Sequence, residues 1–210
     1  AGVSAESAIF DLVDNQASKK LNIYNQMAQV LVGFDHTGSV QRFDEDGDIL
    51  AGGTKLDNIF FMNFARLLSK DEIKKGTFNL ELGVTPAYGQ GGTVFGDRIK
   101  IEDTSGSNGY LVNSPVGEYG ILYATRSAGS NAMLAANQSY AVGLLFYQAG
   151  IAVISGSIFN QASAGGILNN SFHNVSMSGP SSTSEPLNAV LTGSTIDTLA
   201  DNLRTRMYNL

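Results

Sequence analysis

At 210 residues the chain is long enough to bury a substantial core as one domain or two small ones, and 43 % hydrophobic against 15 % charged residues is the composition of a folding protein. With 13 Lys and Arg against 19 Asp and Glu, the net charge of −6 repels phosphate and argues against binding to nucleic acid or an anionic membrane. The absence of cysteine excludes disulfides, thiolate catalysis and cysteine-ligated metal, and it suits assembly in a reducing cytoplasm.

Charge is unevenly spread: no Asp, Glu, Lys or Arg occurs between Arg126 and Glu185. Three stretches follow: a helical and hairpin region at 1–76, a β-rich domain at 77–160, and a Ser/Asn/Gly-rich segment with a closing helix at 161–210. Residues 1–30 lack the basic start, apolar run and small-residue cleavage site of a signal peptide.

In chain order, Ile23, Met27, Val30, Leu31 and Phe34 recur at helical spacing and predict an amphipathic helix capped by Gly33. Ser39 to Phe43 and Ile49 to Ala51 flank the acidic, glycine-containing run Asp44 to Asp48, which predicts a β-hairpin. Leu56, Phe60, Phe64, Leu67 and Leu68 predict a second helix, and Ser69 reads as the N-cap of a short third one stopped by Gly76.

From Phe78 the period falls to two. Phe78 to Leu82 and Arg98 to Glu102 alternate as half-buried strands do, with a glycine-rich loop from Gly83 to Gly96 between them. Gly109 to Val112, Tyr119 to Tyr123, Tyr140 to Tyr147 and Ile151 to Phe159 add four more strand-like runs. The expected fold is α+β: a helical N-terminal part packed with a mainly antiparallel β-sandwich or barrel-like domain, then a C-terminal helix. Residues 160–186 read as a long loop or linker. Leu199, Leu203, Met207 and Leu210 form the apolar stripe of the closing helix, with Asp197 near its start and Arg204 and Arg206 near its end.

Several sharper readings lose to plainer ones. The uncharged window from Tyr140 to Phe159 is long enough to span a membrane, but Gln148-Ala149-Gly150 at its centre makes two strands and a turn the better account. Asp44, Asp46 and Asp48 alternate like calcium ligands, yet Gly47 falls fourth and Lys55 twelfth, the wrong register for an EF-hand. Gly47 to Lys55 approaches a phosphate-binding loop, but Thr54 precedes the lysine instead of following it. His36 and His173 have no motif partners, and no nucleophile or metal-protease signature occurs. The expectation is a non-enzymatic protein without cofactor or metal.

The uncharged, Ser/Asn/Gly/Thr-rich half presents little charge to desolvate on contact, which suits permanent assembly, and an exposed strand edge there would need a capping partner. Asn22 to Phe34, Phe43 to Asp48 and Phe60 to Gly76 resemble stretches of large virion structural proteins from T4-like phages of marine hosts such as cyanobacteria. Val142 to Val153 and Arg204 to Tyr208 resemble the same group. In those proteins the chain continues past the counterpart of Tyr208, which implies a fragment or a partly ordered chain.

The resemblance implies a virion component of the tail, baseplate or neck, assembled in the host cytoplasm and contacting other virion proteins and copies of itself. It carries over no catalytic residue. Leu199, Leu203, Met207 and Leu210 are the expected docking residues, so Leu203→Asp should impair assembly and leave the β core folded. A head decoration or minor capsid protein is one alternative. A glycan-binding or glycan-cleaving tail module is another, which exposed Tyr88, Tyr110, Tyr119 and Tyr123 around a groove would favour.

Overall fold

The computed structural model describes residues 12–44, 47, 49, 53, 55–64, 72–85, 97–128, 139–156, 196–205 and 207–210. Helix α1 spans Leu12–Leu31. Its buried side holds Tyr24, Met27, Ala28 and Leu31, the i, i+3, i+4, i+7 spacing that puts side chains on one face. The N–H groups of Val32 and Gly33 both donate to the Ala28 carbonyl at 2.9 Å, and Gly33 takes φ +80°, a left-handed helix stop that a side chain resists. Pro115 leaves no room there either, with its Cγ 2.9 Å from the place a Cβ would occupy.

The hairpin expected to join residues 39–43 with 49–51 has a different register. Asp44 bridges to Lys55, and the Leu56 N–H donates to the Phe43 carbonyl at 2.9 Å, while Leu50 and Ala51 lie outside the described residues. A smaller turn precedes it, where Asp35 Oδ1 accepts from the N–H groups of Thr37 and Ser39.

The second predicted helix is a strand. Strand β1 spans Ile59–Asn63, and Leu67 and Leu68 lie outside the described residues. Leu56, Phe60 and Phe64 are four apart, a spacing that also repeats every two residues, and the β-branched and aromatic run Ile59-Phe60-Phe61 decides for the strand. The third helix is not formed over its described part: Glu72 to Gly76 is bend and turn, with Gly76 at φ +75°.

Six more strands follow: β2 Asn79–Thr85, β3 Asp97–Glu102, β4 Leu111–Ser114, β5 Gly117–Ala128, β6 Ser139–Phe146 and β7 Ile151–Ser155. Helix α2 covers Ile196–Thr205, and the chain ends not in helix but in strand β8, Met207–Asn209. Among the described residues, the strand pairings are all antiparallel, in one sheet of order β1-β7-β6-β5-β3-β2-β8, with β4 on β5. The fold is therefore α+β, with a single half-barrel sheet where a two-sheet sandwich was one of the expectations.

Alternation along the strands divides the core in two. Met62, Leu80, Leu82, Ile99, Ile101, Leu122, Leu145 and Ile154 bury one face, where Leu203 of α2 joins them. Tyr119, Leu144, Phe146 and Val153 bury the other under α1, Phe43 and Leu56. On β2 and β3 that second face is charged instead, with Glu81, Arg98, Lys100 and Glu102 in its pairs. Among the described residues, the α1 layer thus covers the β5-β6-β7-β1 half.

Candidate functional site

At the α1 side of the sheet's first edge lies a groove of about 750 Å³. Strand β1 supplies Ile59, Phe60 and Phe61, α1 supplies Ala17, Lys20, Leu21 and Tyr24, and α2 supplies Ile196 and Ala200. The two helices are held in place there: the Ile196 N–H donates to Gln16 Oε1 at 3.4 Å.

Tyr24 fixes the wall from inside. Its hydroxyl donates to the Leu56 carbonyl at 2.9 Å and accepts from the Phe43 N–H at 3.3 Å, and burial pushes its pKa up to about 12. Burial also holds the Lys20 ammonium below its ordinary value. Arg42 and Asp57, paired at 2.8 Å, sit at the mouth.

Hydrogen-bond parity shows which way β1 turns its backbone. Gly156 N–H donates to the Asn58 carbonyl at 2.6 Å, and Phe64 N–H donates to the Gly150 carbonyl at 2.7 Å. Both pairs continue the β1–β7 register, in which Phe60 faces Ile154 and Met62 faces Ala152. Since donors and acceptors alternate sides along an antiparallel strand, even-numbered residues bond to β7 and the N–H and C=O of Ile59 and Phe61 point away from it. Among the described residues, no donor or acceptor meets those outward groups.

A second polar cluster serves the fold. Asp103, buried, accepts from Gly76 N–H (2.6 Å) and the Tyr147 hydroxyl (3.1 Å) on Oδ2 and from Phe78 N–H (2.9 Å) on Oδ1. Lys75 pairs with Glu118 at 2.5 Å and lies against the rings of Tyr110 and Tyr147, 4.9 and 5.6 Å from their centroids. The hydrogen bond it donates to the Glu118 carboxylate is the main reason its pKa is raised. Every polar atom of Asp103 is engaged in tying loops together, so the group is an anchor and not a poised acid or base.

Of the expected docking residues, Leu203, Met207 and Leu210 do not share a face. Leu203 is buried in the core, Met207 is half-buried in β8, Leu210 is exposed, and the Leu199 side chain lies outside the described residues. A helix stopping at Thr205 breaks the stripe, and burial of Leu203 means that Leu203→Asp would damage the fold itself. Asp44 is ion-paired with Lys55, while Asp46 and Asp48 lie outside the described residues, as does His173. Of the four tyrosines, Tyr119 is buried, Tyr123 is half-buried, Tyr110 is exposed beside Lys75, and Tyr88 is outside the described residues.

The fours-spacing of Leu56, Phe60 and Phe64 predicts a helix where β1 forms and so hides the groove, although the run Ile59-Phe60-Phe61 carries a strand signal. The chain matches no protein-family model, no curated protein and no solved structure.

Proposed function

We propose that this chain is a non-enzymatic assembly protein, a structural component of a tailed-phage virion in the tail, baseplate or neck, that acts through lasting contacts with neighbouring polypeptides. The virion setting is carried by the sequence resemblance. The assembly role is carried by one observation: α1 exposes large apolar side chains, Ile23 and Val30, outside the face that packs on the sheet.

Tyr24, Ala28 and Leu31 already fix the helix to the sheet, yet Ile23 and Val30 lie on a side turned to solvent, with half-buried Met27 between them. Val30 and Phe34 are each 57 % exposed. Apolar area left in water is worth about 25 cal/mol per Å² when covered, so a row of such side chains favours a partner. Burial of Tyr119 and the Lys75 contact to Tyr110 weigh against an aromatic platform for sugars, the alternative from another functional class.

Light scattering coupled to gel filtration of residues 1–210 tests the assembly role. A defined multimer that Val30→Asp disperses, with thermal unfolding unchanged, supports it, and a monomer at all concentrations overturns it. Mass spectrometry of purified marine T4-like phage particles tests the setting.

A further inference from the structure

We propose that the outer edge of β1 is an acceptor for one extended strand donated by another polypeptide, which would lie in the groove between α1 and α2 and continue the sheet beyond β1. This deepens the assembly reading and rests on it, because it names the kind of contact made and the chemistry of the partner.

Three observations converge on one occupant. Ile59 and Phe61 turn their N–H and C=O groups into the groove, which asks for a partner with main-chain donors and acceptors at strand spacing. A small amphiphile has no such ladder. The groove follows β1 from Asp57 to Phe61, a run on which about five residues of extended chain would lie.

Both sides of that track are mainly apolar, with Leu21 and Tyr24 beside Lys20 on the α1 side and Phe60, Ile196 and Ala200 on the other. Side chains of an added strand alternate between these walls, so the donor is a short segment that is apolar or small at successive positions, not one with a polar outer face. A second copy pairing β1 to β1 does not fit, because the edge lies at the floor between two helices and an equally recessed edge could not reach it. The recess between the helices is also consistent with a β1 edge that meets no strand partner among the described residues: the flanking helices admit a single strand and block a sheet.

The test uses the whole chain and a displayed library of peptides about nine residues long, apolar at the central positions, with the best binder carried into solution. Its amides are then N-methylated one at a time. Methylation at every second central amide should weaken binding about tenfold, with little change at the intervening amides, because only alternate N–H groups face β1. Ala17→Trp, which fills the groove from the exposed side of α1, should weaken binding by at least about tenfold, and Ile59→Pro should do the same while keeping every bond to β7. Thermal unfolding confirms that each variant is folded.

Equal loss at all amides, binding indifferent to Ala17→Trp, or a library that yields no binder overturns the strand-acceptor proposal. So does a peptide-free multimer dispersed by Ala17→Trp, which would assign the groove to a second copy. None of these results bears on the multimer dispersed by Val30→Asp, so the assembly reading stands or falls separately.

Discussion

The hydroxyl of Tyr147 donates to Asp103 across 3.1 Å, joining the turn after β6 to the turn after β3, 44 residues apart in sequence. The same tyrosine donates its N–H to the Glu118 carbonyl and accepts from the Ile73 N–H, while Asp103 accepts from Gly76 and Phe78. Four chain segments meet at these two residues. Gly106 and Gly120 lie where a Cβ would collide with the Tyr147 hydroxyl, so the bond needs both to lack side chains.

This arrangement sets an order of stabilities. Tyr147→Phe removes one hydrogen bond and leaves Asp103 with two backbone donors, so the loss should be about 1 kcal/mol. Asp103→Ala leaves two backbone N–H groups and a buried hydroxyl without an acceptor, so about 3 kcal/mol is expected. Urea unfolding of both variants checks the order, and a Tyr147→Phe loss equal to that of Asp103→Ala would contradict it.

Acid titration should expose the same carboxyl. Burial pushes the pKa of Asp103 above its ordinary 3.8, opposed by the hydrogen bonds from Gly76, Tyr147 and Phe78. The folded protein then binds this proton more tightly than the unfolded chain does. Its contribution to stability is complete below 3.8 and is lost as pH rises through the raised value. Asp103→Asn has no such term, so the stability advantage of the native protein over this variant should narrow as pH is raised from about 3 to about 7. Urea midpoints for the two proteins measure it; an advantage that widens would mean the carboxylate, not the acid, is favoured in the fold.

How much of this was legible depends on whether the contacts are local. Strands β2, β3, β5, β6 and β7 could be read from alternation and turn chemistry, and Gln148 to Gly150 does turn β6 into β7. Gly33 as a helix stop was equally local. In residues 56–64 spacings of four satisfy both periods, and what fixes 59–63 as strand is pairing with β7, about 90 residues away in sequence. The Asp44–Lys55 register and the Asp103 clamp depend on tertiary contact and leave no periodic trace. The groove exists only once β1 is an edge between two helices, a relation that no local pattern encodes.

Glycines offer a contrast between crowding and backbone conformation. At the β5–β6 pairing the register shifts, so Val142 and Gly143 both lie opposite the Leu122–Tyr123 step and Val142 turns to the same core as Leu145. A Cβ on Gly143 would run into the backbone carbonyl of Val153 on β7, and backbone held in a ladder cannot move aside cheaply. Gly143→Ala should cost about 2 to 3 kcal/mol by forcing β6 and β7 apart. Gly38→Ala, at φ +83° but in open space, should cost about 1 kcal/mol, from conformation alone. Thermal or urea unfolding that ranks the two the other way would refute this account of the bulge.

Two ion pairs of like chemistry should behave unlike each other. Arg42 and Asp57 meet at 2.8 Å with side chains 55 % and 65 % exposed, and solvent screens most of their attraction. Lys55 reaches Asp44, whose side chain is fully buried beside the Phe43–Leu56 bond. Arg42→Ala should therefore change stability by less than about 0.5 kcal/mol, and added salt should leave the native protein little altered on this account. Lys55→Ala should cost about 3 kcal/mol, because it removes a cation from a carboxylate that water cannot reach and so leaves the desolvation of Asp44 less compensated. Lys55→Met tests that cause: it keeps most of the aliphatic stem, so a loss close to that of Lys55→Ala assigns the effect to charge, whereas a loss near that of Arg42→Ala assigns it to packing.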